Sequence, residues 1–178
     1  MAIMCGIGTV LSDNPVLTVR MVEGRNPVRI VADSHLRIPI DSNIIKTAQK
    51  VETIIATTED SDTAKAKKLK DAGVHLIYTS QTEGHVDLQE LMTILGHMEI
   101  DSILLEGGGT LAFSALKAGI VNAVRFYMAP VLLGGQHARS VIAGTGFSAL
   151  ADACKIENIR IGSCGSDILI EGTVCSPA

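Results

Sequence analysis

Short runs rich in β-branched residues recur through the first two-thirds of this chain, and stretches with helical spacing separate most of them. The runs are Ile3 to Val10, Val28 to Asp33, Val51 to Thr57, Val74 to Tyr78 and Ser102 to Leu105. Parallel strands need a long crossover, usually a helix, so this alternation predicts a largely parallel sheet covered by helices. Ser61 to Gly73 reads as a surface helix, with Ser61 as cap, Lys65, Lys67, Lys68 and Lys70 on a solvated face, and Gly73 at its close. Asp87 to Gly96 carries Leu88, Leu91, Met92 and Leu95 at i, i+3, i+4 and i+7, and Asp87 with Glu90 has the spacing of a capping box. Thr110 to Lys117 predicts a further helix, ended by Gly119, that buries Leu111, Ala112, Ala115 and Leu116. From Asn122 the pattern changes to Ala123–Met128, Lys155–Ile161 and Asp167–Glu171, with Gly162 to Ser166 as a hairpin turn. The expectation is a three-layer α/β fold, a mostly parallel mixed sheet with a C-terminal antiparallel hairpin. At 178 residues it fills one domain, 1–178.

Composition narrows the function classes. Fifteen Lys and Arg against 19 Asp and Glu leave a net charge of −4, which argues against a broad grip on nucleic-acid phosphates. Aromatics are 3% with no Trp, so an aromatic base-stacking platform cannot be built. No apolar run approaches the roughly 18 residues of a membrane span, and the N-terminus lacks a signal-peptide pattern. Cys5, Cys154, Cys164 and Cys175 show no C-x-x-C spacing, which fits a reducing compartment; the expected location is the cytoplasm. The five histidines form no H-x-x-x-H pair, so no metal site is expected. His97-Met98-Glu99 matches half of a zinc nucleobase-deaminase signature, but no P-C-x-x-C follows. A G-x-S-x-G elbow and a Walker phosphate loop are absent as well.

Chemistry concentrates in three segments. Glu106-Gly107-Gly108-Gly109-Thr110-Leu111-Ala112 follows an apolar strand and opens a helix, so a phosphate could reach bare N–H groups at a positive helix end. The match of Gly107-x-Gly109-x-x-Ala112 to a dinucleotide fingerprint is a weak signal, because the turn follows roughly the fifth strand and no acid lies about 20 residues on. A tight strand–helix turn without a ligand is the other reading. Gly6 to Arg20 offers Thr9, Asp13 and Arg20 within one stretch, although Asp13-Asn14-Pro15 also reads as a plain turn. Asp33-Ser34-His35-Leu36-Arg37-Ile38-Pro39 follows a strand end, as a nucleotide-phosphate contact or as a simple polar loop.

Together these segments resemble the reductase domain of the bacterial bifunctional riboflavin-biosynthesis deaminase–reductase, a dihydrofolate-reductase-like fold. The stretches G-x-G-T-V-L-x-D-x-P-x-L-T-x-R, V-x-D-S-x-L-R-I-P and E-G-G-G-T-L, then Ala129-Pro130-Val131-Leu132-Leu133-Gly134-Gly135, occur in family order. The resemblance implies NADPH-dependent reduction of the ribosyl group of 5-amino-6-(5-phosphoribosylamino)uracil to a ribityl chain. It implies that Thr9, Asp13 and Ser34 lie against the cofactor with Gly108, Gly109, Thr110, Leu111, Ala112, Phe113 and Ser114. Leu17, Arg20 and Glu106 would face the phosphorylated pyrimidine, and Asp13 and Glu106 are the titratable groups expected to carry catalytic proton traffic. A related reductase acting on the non-deaminated pyrimidine, and a catalytically silent nucleotide-binding fragment, are the alternatives.

The chain also departs from the family. Set against the family, the expectation is a reductase domain without the deaminase domain, starting at Met1-Ala2-Ile3 after the strand and helix with which the family's reductase begins. The expectation is an N-terminally truncated domain whose sheet lacks an interior strand, or one in which a partner or a swapped segment supplies that strand. An uncovered apolar edge associates readily, so a homo-oligomer is expected.

Overall fold

The computed structural model describes residues 1–132, 134–135 and 140–175; Leu133 of the late Ala129–Gly135 stretch lies outside them. The first strand, β1 (Ala2–Gly6), runs directly into α1 (Ile7–Asp13), followed by β2 (Val28–Ala32), α2 (Asn43–Lys46), β3 (Thr53–Thr58), α3 (Thr63–Asp71) and β4 (His75–Thr79). A short hairpin, β5 (Gln81–Thr82) and β6 (His85–Val86), precedes α4 (Leu88–His97), β7 (Ile103–Leu105) and α5 (Gly109–Lys117). The chain ends in β8 (Ala123–Met128), a 3₁₀ turn at Leu150–Asp152, β9 (Lys155–Cys164) and β10 (Asp167–Cys175).

The main sheet has five strands in the order β4-β3-β2-β1-β7, every neighbouring pair parallel. Its central strands β1, β2 and β3 are buried on both faces, so consecutive side chains enter opposite cores. Cys5, Val31 and Ile55 join Val10, Ile44 and Leu69 from α1, α2 and α3. Met4, Ile30 and Ile54 join Leu91, Leu95 and Ala115 from α4 and α5 on the other side. This is the expected three-layer, mostly parallel arrangement. The C-terminal strands form an antiparallel sheet, β8-β10-β9, which contains the expected hairpin. No helix among the described residues is long and apolar enough to cross a membrane.

Four expectations need correction. The run Ile3 to Val10 is strand only as far as Gly6; Ile7 and Val10, one helical turn apart, are both buried against the α2–α3 side, and that packing overrides the β propensity of Thr9-Val10. Asp62, not Ser61, caps α3, its carboxylate accepting from the N–H groups of Ala64 and Lys65. The capping box of α4 is half formed: Asp87 accepts from Glu90 N–H at 2.8 Å, while the Glu90 carboxylate turns outward to accept from Ser80 N–H and Oγ. Helix α5 buries Phe113 and Ala115 fully and Leu111, Ala112 and Leu116 only in part.

The β5–β6 hairpin had no counterpart in the sequence reading. Its turn residues, Glu83 and Gly84, both have positive φ (54° and 77°), the conformation that matches the twist of a two-residue hairpin. Lys117 Nζ donates to Glu83 Oε1 at 2.6 Å and ties the hairpin to the end of α5.

A groove of about 950 Å³ separates β7 from β8, lined by Met1, Met4, Leu104, Leu105, Ala115 and Phe126 among others. In the main sheet β7 is hydrogen-bonded on one side only, to β1. The outer edge of β7 and the β8 edge therefore face a common apolar slot.

Candidate cofactor cleft and substrate loop

The neighbouring parallel strands β1 and β7 both turn into helices at their C-terminal ends, so the N-termini of α1 and α5 open side by side. Ligands of open parallel sheets bind in that position, beyond the carboxyl ends of the strands. The caps are Gly6 for α1 and Gly108 for α5, neither with a side-chain hydrogen bond, whereas α3 and α4 carry aspartate caps. Among the described residues no side chain caps the first-turn N–H groups of α1 and α5, an arrangement suited to an anion.

Glycine is required in this turn on two separate grounds. Gly107 and Gly108 have φ of 85° and 89°, a region that L side chains avoid, and a Cβ at Gly107 would lie 3.1 Å from Thr9 Oγ1. Gly109 has ordinary φ, but a Cβ there would stand 2.9 Å from both Ala143 Cβ and Ala143 N. The segment approaching it is held by Ala143 N–H donating to Gly109 O at 3.0 Å.

The cleft in front of these helix starts has a volume of about 840 Å³, within the range of small-molecule and cofactor sites. Thr9, Ser34, Gly108, Gly109, Thr110, Leu111 and Ser114, all expected from the sequence, line it. Ala112 instead lines the β7–β8 groove, and Phe113 is buried with its ring edge-on to Phe147 at 5.2 Å. Ser12, His85, Val86, Ser140 and Val141, none of them expected from the sequence, also line the cleft. His85 arrives on the β5–β6 hairpin, whose only sequence signal was Glu83-Gly84.

At the far end of the cleft Ser34, His35 and Arg37 come from the loop after β2. Buried Asp33 shapes that loop: its carboxylate accepts from Arg37 N–H at 2.9 Å and Ile38 N–H at 2.8 Å. Ser34 is fixed through its carbonyl, which accepts from Thr57 Oγ1 and Thr58 Oγ1, and through its Oγ, which accepts from Val86 N–H. Among the described lining residues there are three potentially cationic side chains, His35, Arg37 and His85, and no carboxylate.

The remaining expected residues lie outside this cleft lining. Asp13 is exposed in the last turn of α1. Leu17 has φ of 53°, a conformation costing a branched residue about 1–2 kcal/mol, and packs half-buried on the α1–α2–α3 core. Arg20 is exposed in the loop between α1 and β2. Glu106 follows β7, its N–H donating to Met4 O at 2.8 Å. Burial, and after it the charge of Glu106, push the Cys5 thiol up to about 12. Among the described residues no group of His, Cys, Asp or Glu is arranged to hold a metal ion.

Comparison with known proteins extends this geometry. The RibD C-terminal domain family model matches residues 1–170. The riboflavin biosynthesis protein RibD of Actinobacillus pleuropneumoniae is 46% identical over 99% of this chain and 46% of its own length. A 2,5-diamino-6-ribosylamino-4(3H)-pyrimidinone 5′-phosphate reductase of Methanothermobacter thermautotrophicus is 37% identical over 97% of this chain and 79% of its own. The solved structure of Acinetobacter baumannii RibD superposes with a TM-score of 0.77 at 23% identity, covering 98% of this chain and 47% of that one, which is a likeness of fold. The chain thus spans about half the length of these RibD relatives. With a family match over nearly its whole length and a glycine-lined cleft between two uncapped helix starts, this chain belongs to the RibD C-terminal domain family.

Proposed function

We propose that this chain reduces the ribosyl group of 5-amino-6-(5-phosphoribosylamino)uracil to a ribityl chain, with NADPH as reductant. The observation that carries the proposal is the cleft: two helix N-termini without side-chain caps at one end, and His35, Arg37 and His85 without a carboxylate at the other. A dinucleotide pyrophosphate fits the first end, and a 2′-phosphate fits the second, where a site for the unphosphorylated nucleotide would present an acid to the ribose. When bound, the cofactor supplies a hydride to C1′ of the substrate.

Thr9, Asp13, Ser34 and the turn from Gly108 to Ser114 hold the cofactor, with Ala112 and Phe113 fixing the helix behind it. Leu17 and Arg20 hold the substrate, the Arg20 guanidinium on its phosphate, and Glu106 orients the ribose. Reduction at C1′ needs the ring C1′–O4′ bond to break, with O4′ gaining a proton as the attached nitrogen gives up its own, and the resulting C1′=N bond to take up the hydride at C1′ and one proton at nitrogen, a net uptake of one hydride and one proton. Asp13 and Glu106 are the groups assigned to move those protons. The exposed apolar row Ile156, Ile159 and Ile161 on β9 supports self-association of the chain. A second reading, reduction of the 2,5-diamino pyrimidinone before deamination, is favoured by the relatives that carry that name.

NADPH consumption at 340 nm with each pyrimidine in turn tests the proposal. Turnover of the uracil substrate, with NADPH preferred over NADH, supports it, and Arg37→Ala lowers that preference about tenfold by removing one charge-assisted phosphate contact. Absence of NADPH binding refutes it.

A further inference from the structure

Arg29 is the largest side chain buried without any exposure, and no ion pair satisfies it among the described residues. All of its partners are neutral oxygens. Nε donates to Thr53 Oγ1 at 3.1 Å; Nη1 to Thr47 Oγ1 at 2.7 Å and Val16 O at 3.1 Å; Nη2 to Thr53 Oγ1 at 2.6 Å and to Ile44 O and Val51 O, both at 3.1 Å. These acceptors come from β3 and the turn before it, from α2 and its end, and from the loop between α1 and β2. A planar five-donor fork is the side chain that can reach all three segments at once, and a lysine cannot reproduce it.

Of these partners only Val16 belongs to the loop that carries Leu17 and leads to Arg20. The same loop has a second clasp: Asn43 N–H donates to Asn14 Oδ1, and Asn43 Nδ2 to Asn14 O, each at 2.8 Å. Asn14 and Leu17, on either side of Pro15-Val16, both have positive φ, 42° and 53°. Non-glycine residues persist in that conformation where surrounding contacts over-determine them, and such places concentrate at binding sites. Neither clasp touches the cofactor cleft.

We infer that Arg29 is a positioning residue for substrate binding: its guanidinium, through the Val16 carbonyl and together with the Asn43–Asn14 clasp, holds the Leu17–Arg20 loop in its binding conformation. This rests on the reading that the loop binds substrate. The fork pins the loop to β2, the strand that leads into the Ser34–Arg37 loop, and to β3, whose Thr57 and Thr58 hydroxyls hold the Ser34 carbonyl, so the two halves of the site share one rigid base.

Arg29→Lys and Asn43→Ala test it in the full chain, with three readouts: steady-state KM and kcat for the pyrimidine, NADPH affinity by fluorescence titration, and hydrogen exchange of the 14–20 amides. The expected result is a substrate KM raised about tenfold or more, NADPH affinity within twofold of the parent, and at least tenfold faster exchange in 14–20. Each variant combined with Arg20→Ala loses less than the product of the separate effects, because a displaced loop has already removed Arg20 from the substrate. Parent-like exchange in 14–20 overturns the inference, as does a KM rise matched by an equal loss of NADPH affinity. If Arg29→Lys does not fold, Asn43→Ala decides, since it removes the Nδ2 half of the loop tie and leaves the residue-43 N–H bond and the buried fork intact. An Arg20→Ala variant with unchanged KM refutes the substrate reading by itself, while the exchange data still judge Arg29.

Discussion

Gly108→Asp places a carboxylate where two helix N-termini meet, and the expected effects on stability and on binding have different sizes. A side chain at φ 89° costs about 1–2 kcal/mol in the free protein. An aspartate at the cap of α5, which has no side-chain cap, returns about 1 kcal/mol through its N–H contacts and the helix dipole. The nearest atoms to the new Cβ are Leu111 Cβ and Thr9 Oγ1 at 3.6 Å, so sterics add little. The free variant therefore melts close to the parent. A cofactor phosphate seated on the same N–H groups meets a like charge about 4 Å away, which costs about 4 kcal/mol at an effective dielectric of 20 and about half that with relaxation and salt. NADPH affinity should fall roughly 30- to 1,000-fold. Gly108→Asn has the same shape and the same backbone strain without the charge, and should lose less than about tenfold. Fluorescence titration of NADPH with both variants at low and high salt isolates the charge, and the Asp-to-Asn ratio should shrink as salt rises. Equal losses in the two variants, or a ratio indifferent to salt, refute phosphate binding at this turn.

Arg20→Ala should raise the KM for the phosphorylated pyrimidine and leave NADPH affinity nearly intact; weakened NADPH binding alone would show that the arginine serves the cofactor instead. Cys5, fully buried with its thiol pushed up to about 12, should resist a disulfide reagent at pH 8 in the native protein while exposed Cys164 reacts, as peptide mapping would show; equal labelling would contradict the burial. The Asp87 carboxyl is held below its usual range, first by Glu90 N–H and then by the Thr82 hydroxyl. Its stabilising contribution is present above the unfolded carboxyl value near 3.9 and is lost as pH falls through the lower folded value. Asp87→Asn keeps an acceptor for the Glu90 N–H and loses only the charge at the helix start, so it should melt below the parent at pH 7 by about 0.3–1 kcal/mol, and the gap should narrow below about pH 4.

The parallel sheet was readable because its strands are short β-branched runs, and α4 because four apolar residues fall at helical spacing with an aspartate cap before them. What escaped was decided by packing between distant segments. Thr9-Val10 has strand propensity, yet Ile7 and Val10 pack one turn apart against residues more than thirty positions later. Helix α2 is four residues, Asn-Ile-Ile-Lys, too short to show a period. In the site, the glycine turn and Ser34 carry recognisable motifs. His85 depends on a two-residue hairpin tied to α5, and Arg29 looks like an edge charge in sequence until β3, α2 and the loop after α1 close over it.

The slot between β7 and β8 bears on the cofactor cleft through a shared wall. Gly107, Gly108 and Val141 line both spaces, so the glycine turn is one layer of backbone thick, with an open groove behind it. Solvent reaching that groove raises the local polarisability on the far side of the turn and weakens the field the two helix starts project forward. A residue that dries the groove without entering the cleft, such as a larger side chain at Leu104, should therefore tighten cofactor binding from behind.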